Sequence, residues 1–323
     1  MRQSEKGGRV KKRTARGRPP TNDPRPVVLS PSTLRRLPLP QPDADGDKEE
    51  RGRVLIVGGA PEMPGAVILA ATAALRAGAG KLQIATVRSI APLVAANVPE
   101  ARVFFLPETR SGCIAASAAK EIAALAAEVQ AVLIGPGMID EAAVTRLMKS
   151  LLPRIEPDSS VIILDAAAMA CLAEDSKLLH RLRGRTIITP HAGEMASILG
   201  ISKDVVTREA LRVARQSAID LGAVVALKGR ETFIAAPAGE TFCNRAGNVG
   251  LATSGSGDTL SGIIAGLAAR GADPLRAAVW GVHLHARAGD CLARRIGPLG
   301  FLARELLAEV PALMSKLSGR GKR

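Results

Sequence analysis

A glycine-rich segment, residues 247–258, is the part of the sequence best suited to chemistry. It reads GNVGLATSGSGD and leads directly into an apolar helical pattern. Glycines let backbone N–H groups approach an anion closely, and a helix N-terminus adds its partial positive charge. Such an arrangement can stabilise a phosphoryl group during transfer. A carboxylate at an anion site repels the anion, so its presence needs a chemical reason. We expect Asp258 to remove a proton from a hydroxyl that attacks phosphorus.

The alternative explanation for this segment is a simple helix cap formed by Ser256 or Asp258. A cap needs one such residue, whereas four glycines stand within eleven positions here. The segment is not a Walker A motif, because GxxxxGK[ST] does not occur, and residues 58–65 do not spell GxGxxG. The pattern therefore favours a catalytic loop over a cap and gives little support to a dinucleotide Rossmann site.

Short apolar runs that end in Gly, Pro, Asp or His indicate the elements that position these residues. Such runs are typical of parallel strands buried on both faces. Strands are predicted at 54–57, 81–86, 131–134, 161–164, 186–189 and 224–227, with a hairpin of 233–236 and 241–243. Helices are predicted at 65–77, 115–127, 258–269, 274–295 and 304–316. This alternation predicts an α/β fold, a mostly parallel central sheet with helices on both faces, with ligands outside the carboxyl ends of the strands.

Composition and charge exclude several classes of protein. No run of eighteen apolar residues exists in the 323-residue chain, which argues against a membrane span. The four cysteines form no CxxC pair, so neither a zinc knuckle nor a disulfide scaffold is expected. Of the net charge of +14, residues 1–18 carry +7 and the last eight residues +4, so nucleic-acid binding by a folded basic face is not expected. The N-terminus lacks a secretory h-region, and we expect a cytoplasmic protein.

The chain divides into one domain and two tails. Residues 1–48 are basic and rich in proline, and we expect them to be largely disordered, with order beginning near residue 27. Residues 49–318 form the predicted domain, and residues 319–323 form a basic C-terminal tail.

Several further segments occur in the order found in a known family. They are VGG at 57–59, RAGAG at 76–80, IGPG at 134–137, LDA at 164–166, TPHAGEM at 189–195, LKGRET at 227–232, and GVHLH at 281–285 followed by GD at 289–290. With the glycine loop they span roughly residues 50–295. The chain thus resembles the NAD(P)H-hydrate dehydratases, lyases of the ribokinase-like superfamily.

The resemblance implies a metabolite-repair reaction. A nucleotide phosphorylates the ring hydroxyl of the S-epimer of NADHX or NADPHX, and loss of phosphate restores NADH or NADPH. The implied donor is ADP, which leaves as AMP, or ATP, and Mg²⁺ is the implied cofactor. A homotetramer and a functional link to a separate NAD(P)HX epimerase are also implied. A ribokinase-like kinase acting on a vitamin precursor or sugar is the alternative, since it needs the same base and anion hole.

The resemblance also implies roles for individual residues. The general base is Asp258, and the anion hole consists of the backbone N–H groups of Gly255, Ser256 and Gly257. The residues implied in hydrate binding are Ala66, Gly137, His191 and Asp258. The residues implied in nucleotide binding are Lys228, Gly229, Arg230, Glu231, Thr232, Asn248 and Gly257. Many relatives have an acid where this chain has Ala167, so a polar contact to substrate or metal is expected to be absent.

Some of these positions have a second interpretation. His191 is either a ligand contact or a hydrogen-bonded structural residue at a strand end. Glu194 is either a first-turn acid favoured by the helix dipole or a group that holds a magnesium-bound water. Asn248 either contacts the nucleotide or shapes the loop in the left-handed conformation. His283 and His285 cannot share a helical face, so we do not expect them to form a metal pair.

Overall fold

The structure is a computed structural model that describes residues 25–41 and 51–318. Within these residues, ten strands form a single sheet. The strands are β1 (Val27–Val28), β2 (Arg53–Val57), β3 (Lys81–Val87), β4 (Ala101–Leu106), β5 (Ala131–Ile134), β6 (Val161–Leu164), β7 (Thr186–Ile188), β8 (Val224–Leu227), β9 (Thr232–Ala235) and β10 (Thr241–Asn244).

The sheet is mostly parallel, as predicted. Its spatial order is β1-β10-β9-β8-β7-β6-β5-β2-β3-β4. Strand β9 pairs antiparallel with β8 and β10, and the other pairings are parallel. Every residue of β5, β6, β7 and β8 is buried, so both faces of the central sheet are covered.

Twelve α-helices are found in the same residues, and none of them is long and apolar enough to cross a membrane. They are α1 (Pro31–Arg36), α2 (Pro64–Arg76), α3 (Ala91–Asn97), α4 (Ala119–Ala126), α5 (Glu141–Leu151), α6 (Cys171–Glu174), α7 (Ala192–Leu199), α8 (Lys203–Arg208), α9 (Ala210–Leu221), α10 (Ser256–Ala269), α11 (Pro274–Arg295) and α12 (Ala303–Leu317).

The described part of the predicted N-terminal tail packs against the domain. Strand β1 pairs with β10, Leu34 and Leu39 are buried in the main core, and the Trp280 indole donates to the carbonyl of Leu37. The sheet therefore extends N-terminal to the predicted boundary at residue 49, from the point near residue 27 where order was expected. Residues 1–24, 42–48 and 319–323 of the predicted tails lie outside the described residues.

Two glycines bring helices α2 and α10 into close contact. A Cβ atom on Gly262 would lie 2.2 Å from the Ala70 carbonyl oxygen, and one on Gly266 would lie 2.3 Å from that of Ala74. The alanines of α2 are buried, as expected for core residues. Because the contacts advance together along both helices, α2 and α10 run side by side in the same direction. Their N-termini therefore lie at the same edge of the sheet.

Candidate active site

The carboxyl ends of five neighbouring strands bring the predicted site residues to one edge of the sheet. In spatial order, Lys228 follows β8, Thr189 follows β7, Asp165 follows β6, Gly135 follows β5 and Gly58 follows β2. Five consecutive strands thus end in polar or glycine positions. This is the edge where ligands bind in parallel α/β sheets.

Helix α10 points its N-terminus at this edge and lacks a side-chain cap. Its N-cap residue is Gly255, in the left-handed conformation at φ 84°, and no side chain accepts from the first turn. The cap alternative for Ser256 or Asp258 is therefore wrong. Among the described residues, the backbone N–H groups of Gly255 and Gly257 have no hydrogen-bond acceptor, which leaves them free for an anion.

Ser256 differs from the predicted anion hole. Its backbone N–H donates to the Thr253 carbonyl at 3.2 Å, so it already has an acceptor. Its hydroxyl oxygen lies 3.0 Å from Nε2 of the buried His285. Burial lowers the pKa of His285 to about 4, so the ring is neutral near pH 7. Ser256 therefore fixes the first turn of α10 to α11.

Asp258 has the electrostatics of a general base that works near neutral pH. Burial, and next the Asp165 carboxylate, raise its pKa to about 6 from an ordinary 3.8, while Lys228 acts to lower it. Its neighbours Gly257 and Lys228 line a cavity of about 880 Å³. Asp258 itself is not among the residues that line this cavity. A partly buried carboxylate whose pKa is raised to about 6 has the electrostatic properties of a general base near neutral pH.

Lys228 lies at the centre of the polar cluster. Its Nζ atom lies 3.3 Å from Asp165 Oδ1 and 4.0 Å from Glu194 Oε2. Burial acts to lower the pKa of Lys228, but these two carboxylates outweigh burial and raise it. The Thr189 hydroxyl donates to Asp165 Oδ1 at 2.8 Å and fixes that carboxylate. The ammonium group is therefore a stable point charge with 22% of its side chain exposed, suited to a phosphate oxygen.

A cavity of about 880 Å³ opens next to this cluster. It is large enough for a nucleotide. The predicted nucleotide contacts that line it are Lys228, Gly229, Arg230, Thr232, Asn248 and Gly257. Glu231 is not among the lining residues, because its carboxylate pairs with Arg245 at 2.8 Å. The apolar part of the wall includes Val249, Leu251, Leu260 and Val282.

Asn248 is held in place by Asp290, which belongs to a family segment but was assigned no role from the sequence. Its backbone is extended, so the alternative of a left-handed conformation is wrong. Its amide nitrogen donates to Asp290 Oδ1 and its amide oxygen accepts from the Gly250 N–H. Asp290 also accepts from the Gly247 N–H. Asp290 is the single acid of helix α11, and its place in the family segment was the available sequence signal.

The predicted hydrate contacts Ala66 and Gly137 lie next to each other. A Cβ atom on Gly137, which has φ 71°, would lie 3.1 Å from Ala66 Cβ and 2.6 Å from the Met63 carbonyl oxygen. The two helices pair Gly262 with Ala70, so one turn earlier Asp258 stands opposite Ala66. Asp258 thus lies on the side of α10 that faces Ala66, and the adjacent residue Gly257 lines the cavity.

His191 has the hydrogen bonds of its structural interpretation, and its ring also lines the cavity. As N-cap of α7, its Nδ1 accepts from the N–H groups of Gly193 and Glu194, each at 3.0 Å. Glu194 completes the capping box by accepting from the His191 N–H at 2.7 Å. With Nδ1 an acceptor, the neutral ring carries its proton on Nε2. The side chain is 59% exposed and lines the cavity, where Nε2 can donate to a ligand.

The described residues contain no group of three or more His, Cys, Asp or Glu side chains that could hold a metal ion. His283 and His285 have separate partners, Asn244 and Ser256. Burial lowers the pKa of His283 to about 4, as it does for His285.

Comparison with known proteins decides the family. Residues 54–312 match the family described as NAD(P)H-hydrate dehydratase. The chain belongs to this family. It is 47% identical over 295 residues to an ADP-dependent (S)-NAD(P)H-hydrate dehydratase of Xanthomonas campestris, covering 91% of this chain and 98% of that protein. It is 42% identical over 282 residues to a bifunctional NAD(P)H-hydrate repair enzyme of Moorella thermoacetica, covering 87% of this chain and 53% of that enzyme.

Two solved structures share the fold. A Bacillus subtilis ADP/ATP-dependent NAD(P)H-hydrate dehydratase, co-crystallised with ATP and Mg²⁺, matches with a TM-score of 0.73 at 29% identity, covering 90% of this chain and 98% of that one. A ribokinase-like superfamily protein of Enterococcus faecalis matches with a TM-score of 0.77 at 27% identity, covering 90% and 96%. The predicted ribokinase-like fold and dehydratase family are therefore confirmed.

Proposed function

We propose that the protein is a hydro-lyase that dehydrates the S-epimers of NADHX and NADPHX to NADH and NADPH, using ADP as phosphoryl donor. The main support for this proposal is the position of Asp258. It lies in the uncapped first turn of α10, next to Gly257, which lines a nucleotide-sized cavity, and its pKa is raised to about 6. The 47% identity to a dehydratase of this specificity supports the same reaction.

In the proposed mechanism, Asp258 removes the proton of the ring hydroxyl as its oxygen attacks the terminal phosphorus of ADP. The bond between that phosphorus and the bridging oxygen breaks, and AMP leaves. The N–H groups of Gly255 and Gly257, with the Lys228 ammonium, stabilise the charge that develops on the phosphoryl oxygens. Phosphate is a far better leaving group than hydroxide. Its departure from the ring carbon, with loss of a proton from the neighbouring carbon, restores the reduced nicotinamide.

The residues present fit a Mg²⁺ ion that arrives with the nucleotide. Mg²⁺ commonly takes one or two carboxylates and completes its shell with phosphates and water. Asp165 is occupied by Lys228 and Thr189. Glu194 contacts the His191 N–H at 2.7 Å and Lys228 at 4.0 Å through Oε2 alone, which leaves Oε1 available. We therefore assign Glu194 to a magnesium-bound water. When bound, the ion supplies further charge neutralisation on the transferred phosphoryl group.

The chain spans about half the length of its bifunctional relatives. We propose a functional link to an NAD(P)HX epimerase, which converts the unreactive epimer into substrate. The homotetramer and the cytoplasmic location stay predictions.

The direct test is recovery of NADH. Purified protein is mixed with NADHX, Mg²⁺ and either ADP or ATP, and NADH absorbance is followed while AMP is quantified. We expect one AMP for each NADH formed with ADP. Failure to form NADH with either donor would contradict the proposed function, and accumulation of a stable phosphorylated product would favour a small-molecule kinase instead.

A further inference from the structure

A second groove, of about 410 Å³, lies at the same sheet edge beyond the proposed hydrate site. It is formed where β3 and β4 end, by Ser89, Glu108 and Arg110, and is closed by Pro61 and Glu62 from the loop after β2. None of these residues has a part in the mechanism above.

The walls of this groove are held by local contacts. The turn at residues 109–112 is closed by the Thr109 N–H, which donates to the Cys113 carbonyl at 2.7 Å. The Ser111 hydroxyl ties the turn to Asp140, the N-cap of α5, at 2.8 Å. Gly112 packs so closely on Pro61 that a Cβ atom would lie 2.7 Å from its Cδ. The groove therefore exists before a ligand binds.

The side chains of the groove suit a sugar phosphate. Ser89 donates to Glu108 Oε2 through its hydroxyl at 2.7 Å, which orients the carboxylate and leaves Oε1 available. Arg110 is exposed and pairs with no carboxylate among the described residues. A carboxylate is the usual acceptor for ribose hydroxyls in dinucleotide sites, and a guanidinium is the usual partner of phosphate.

The groove lies on the side toward which the adenylate half of a dinucleotide would extend from the proposed hydrate site. The donor cavity occupies the β7 to β10 side, so the substrate extends toward β4. From the end of β5 to that of β4 is three strand spacings, about 14 Å. One short loop links the two places, since the Met63 carbonyl contacts Gly137 and Pro61 contacts Gly112.

We propose that this groove binds the adenylate half of the hydrated dinucleotide, with Arg110 on the diphosphate and Glu108 on the adenosine ribose. The proposal rests on the proposed function. The Glu108 carboxylate repels a 2′-phosphate, so the enzyme prefers NADHX to NADPHX.

The test compares Arg110→Met with Arg102→Met. Arg102 is also an exposed arginine, but it lies at the amino end of β4, away from the groove, and stacks on Phe104, with 4.6 Å from its guanidinium carbon to the ring centroid. We expect Arg110→Met to weaken NADHX binding, measured by calorimetry without donor, by about 10- to 100-fold, as for a lost charge-assisted hydrogen bond. The KM for NADHX rises similarly while kcat stays near wild type. Arg102→Met behaves as wild type.

A truncated substrate separates binding from general damage. The hydrate of reduced nicotinamide riboside lacks both phosphates and the adenosine, so Arg110→Met should turn it over as wild type does. Glu108→Gln should lower the preference for NADHX over NADPHX. Wild-type NADHX affinity in Arg110→Met, or an equal loss with the truncated substrate, would overturn the proposal. Absence of turnover in the wild type would instead refute the proposed function, and calorimetry would still test the groove.

Discussion

Replacing Asp165 should move the pH dependence of the reaction in a direction that the structure specifies. Asp165 is the second cause, after burial, of the raised pKa of Asp258. The change Asp165→Asn removes this negative charge but keeps an oxygen that can accept from Thr189 and Lys228. The pKa of Asp258 should therefore fall, because ionising it no longer places two negative charges close together.

The expected size of this shift follows from the chemistry of neighbouring charges. A nearby like charge shifts a carboxyl group by about one pKa unit, equivalent to about 1.4 kcal/mol. With a pKa of about 6 in the wild type, about a tenth of Asp258 is ionised at pH 5. A one-unit fall makes that fraction about a half. Activity at pH 5 relative to pH 7 should therefore rise about five-fold in the variant.

The assay measures kcat/KM for NADHX at saturating ADP from about pH 4.5 to about pH 8. Steps of about half a pH unit define the acid limb of the pH profile. Glu194→Gln is the matched control, since Glu194 also lies near Lys228 but does not contribute to the raised pKa of Asp258. Its acid limb should stay in place. An acid limb that moves to higher pH in Asp165→Asn, or shifts equally in both variants, would refute the reasoning.

Three further predictions concern stability and the loop. Because the folded-state pKa of Asp258 is raised to about 6 from 3.8, its ionisation costs stability as pH rises through this window. Asp258→Asn should therefore raise the free energy of unfolding at pH 7 by up to about 3 kcal/mol, a gain lost near pH 4 and measured by urea unfolding. Gly262→Ala should cost about 1–3 kcal/mol by overpacking against Ala70, whereas Gly65→Ala, with open space around its Cβ position, should not destabilise. Asp290→Ala should raise the KM for ADP several-fold by releasing Gly247 and Asn248, and an unchanged KM would contradict that role.

The central strands could be predicted because their burial on both faces makes each a continuous apolar run that ends in a polar or glycine residue. The same reasoning does not detect β1 and β4, the strands at the two edges of the sheet. Strand β4 is only partly buried, with Phe105 exposed, and β1 has two residues whose partner strand lies some two hundred residues later. Helices α5 and α9 were not predicted either, although each has an apolar face.

The glycine-rich loop could be identified in the sequence because four glycines before a helix are locally unusual. Its electrostatics were not visible. The raised pKa of Asp258 depends on burial and on Asp165, which follows strand β6 and is distant from Asp258 in the sequence. Two hydrogen bonds also depend on the folded structure. The Ser256 N–H donates to Thr253, and the Asn248 amide donates to Asp290. Sequence spacing carries no information on such contacts.

The central claim is that Asp258 takes the proton from the hydroxyl of the hydrated ring. Its most direct test is the turnover of Asp258→Asn with NADHX and ADP, alongside ADP affinity by calorimetry. A lost general base should lower kcat by about 10²- to 10⁴-fold while ADP affinity stays near wild type. An Asn variant that restores NADH at close to the wild-type rate would remove Asp258 from the mechanism.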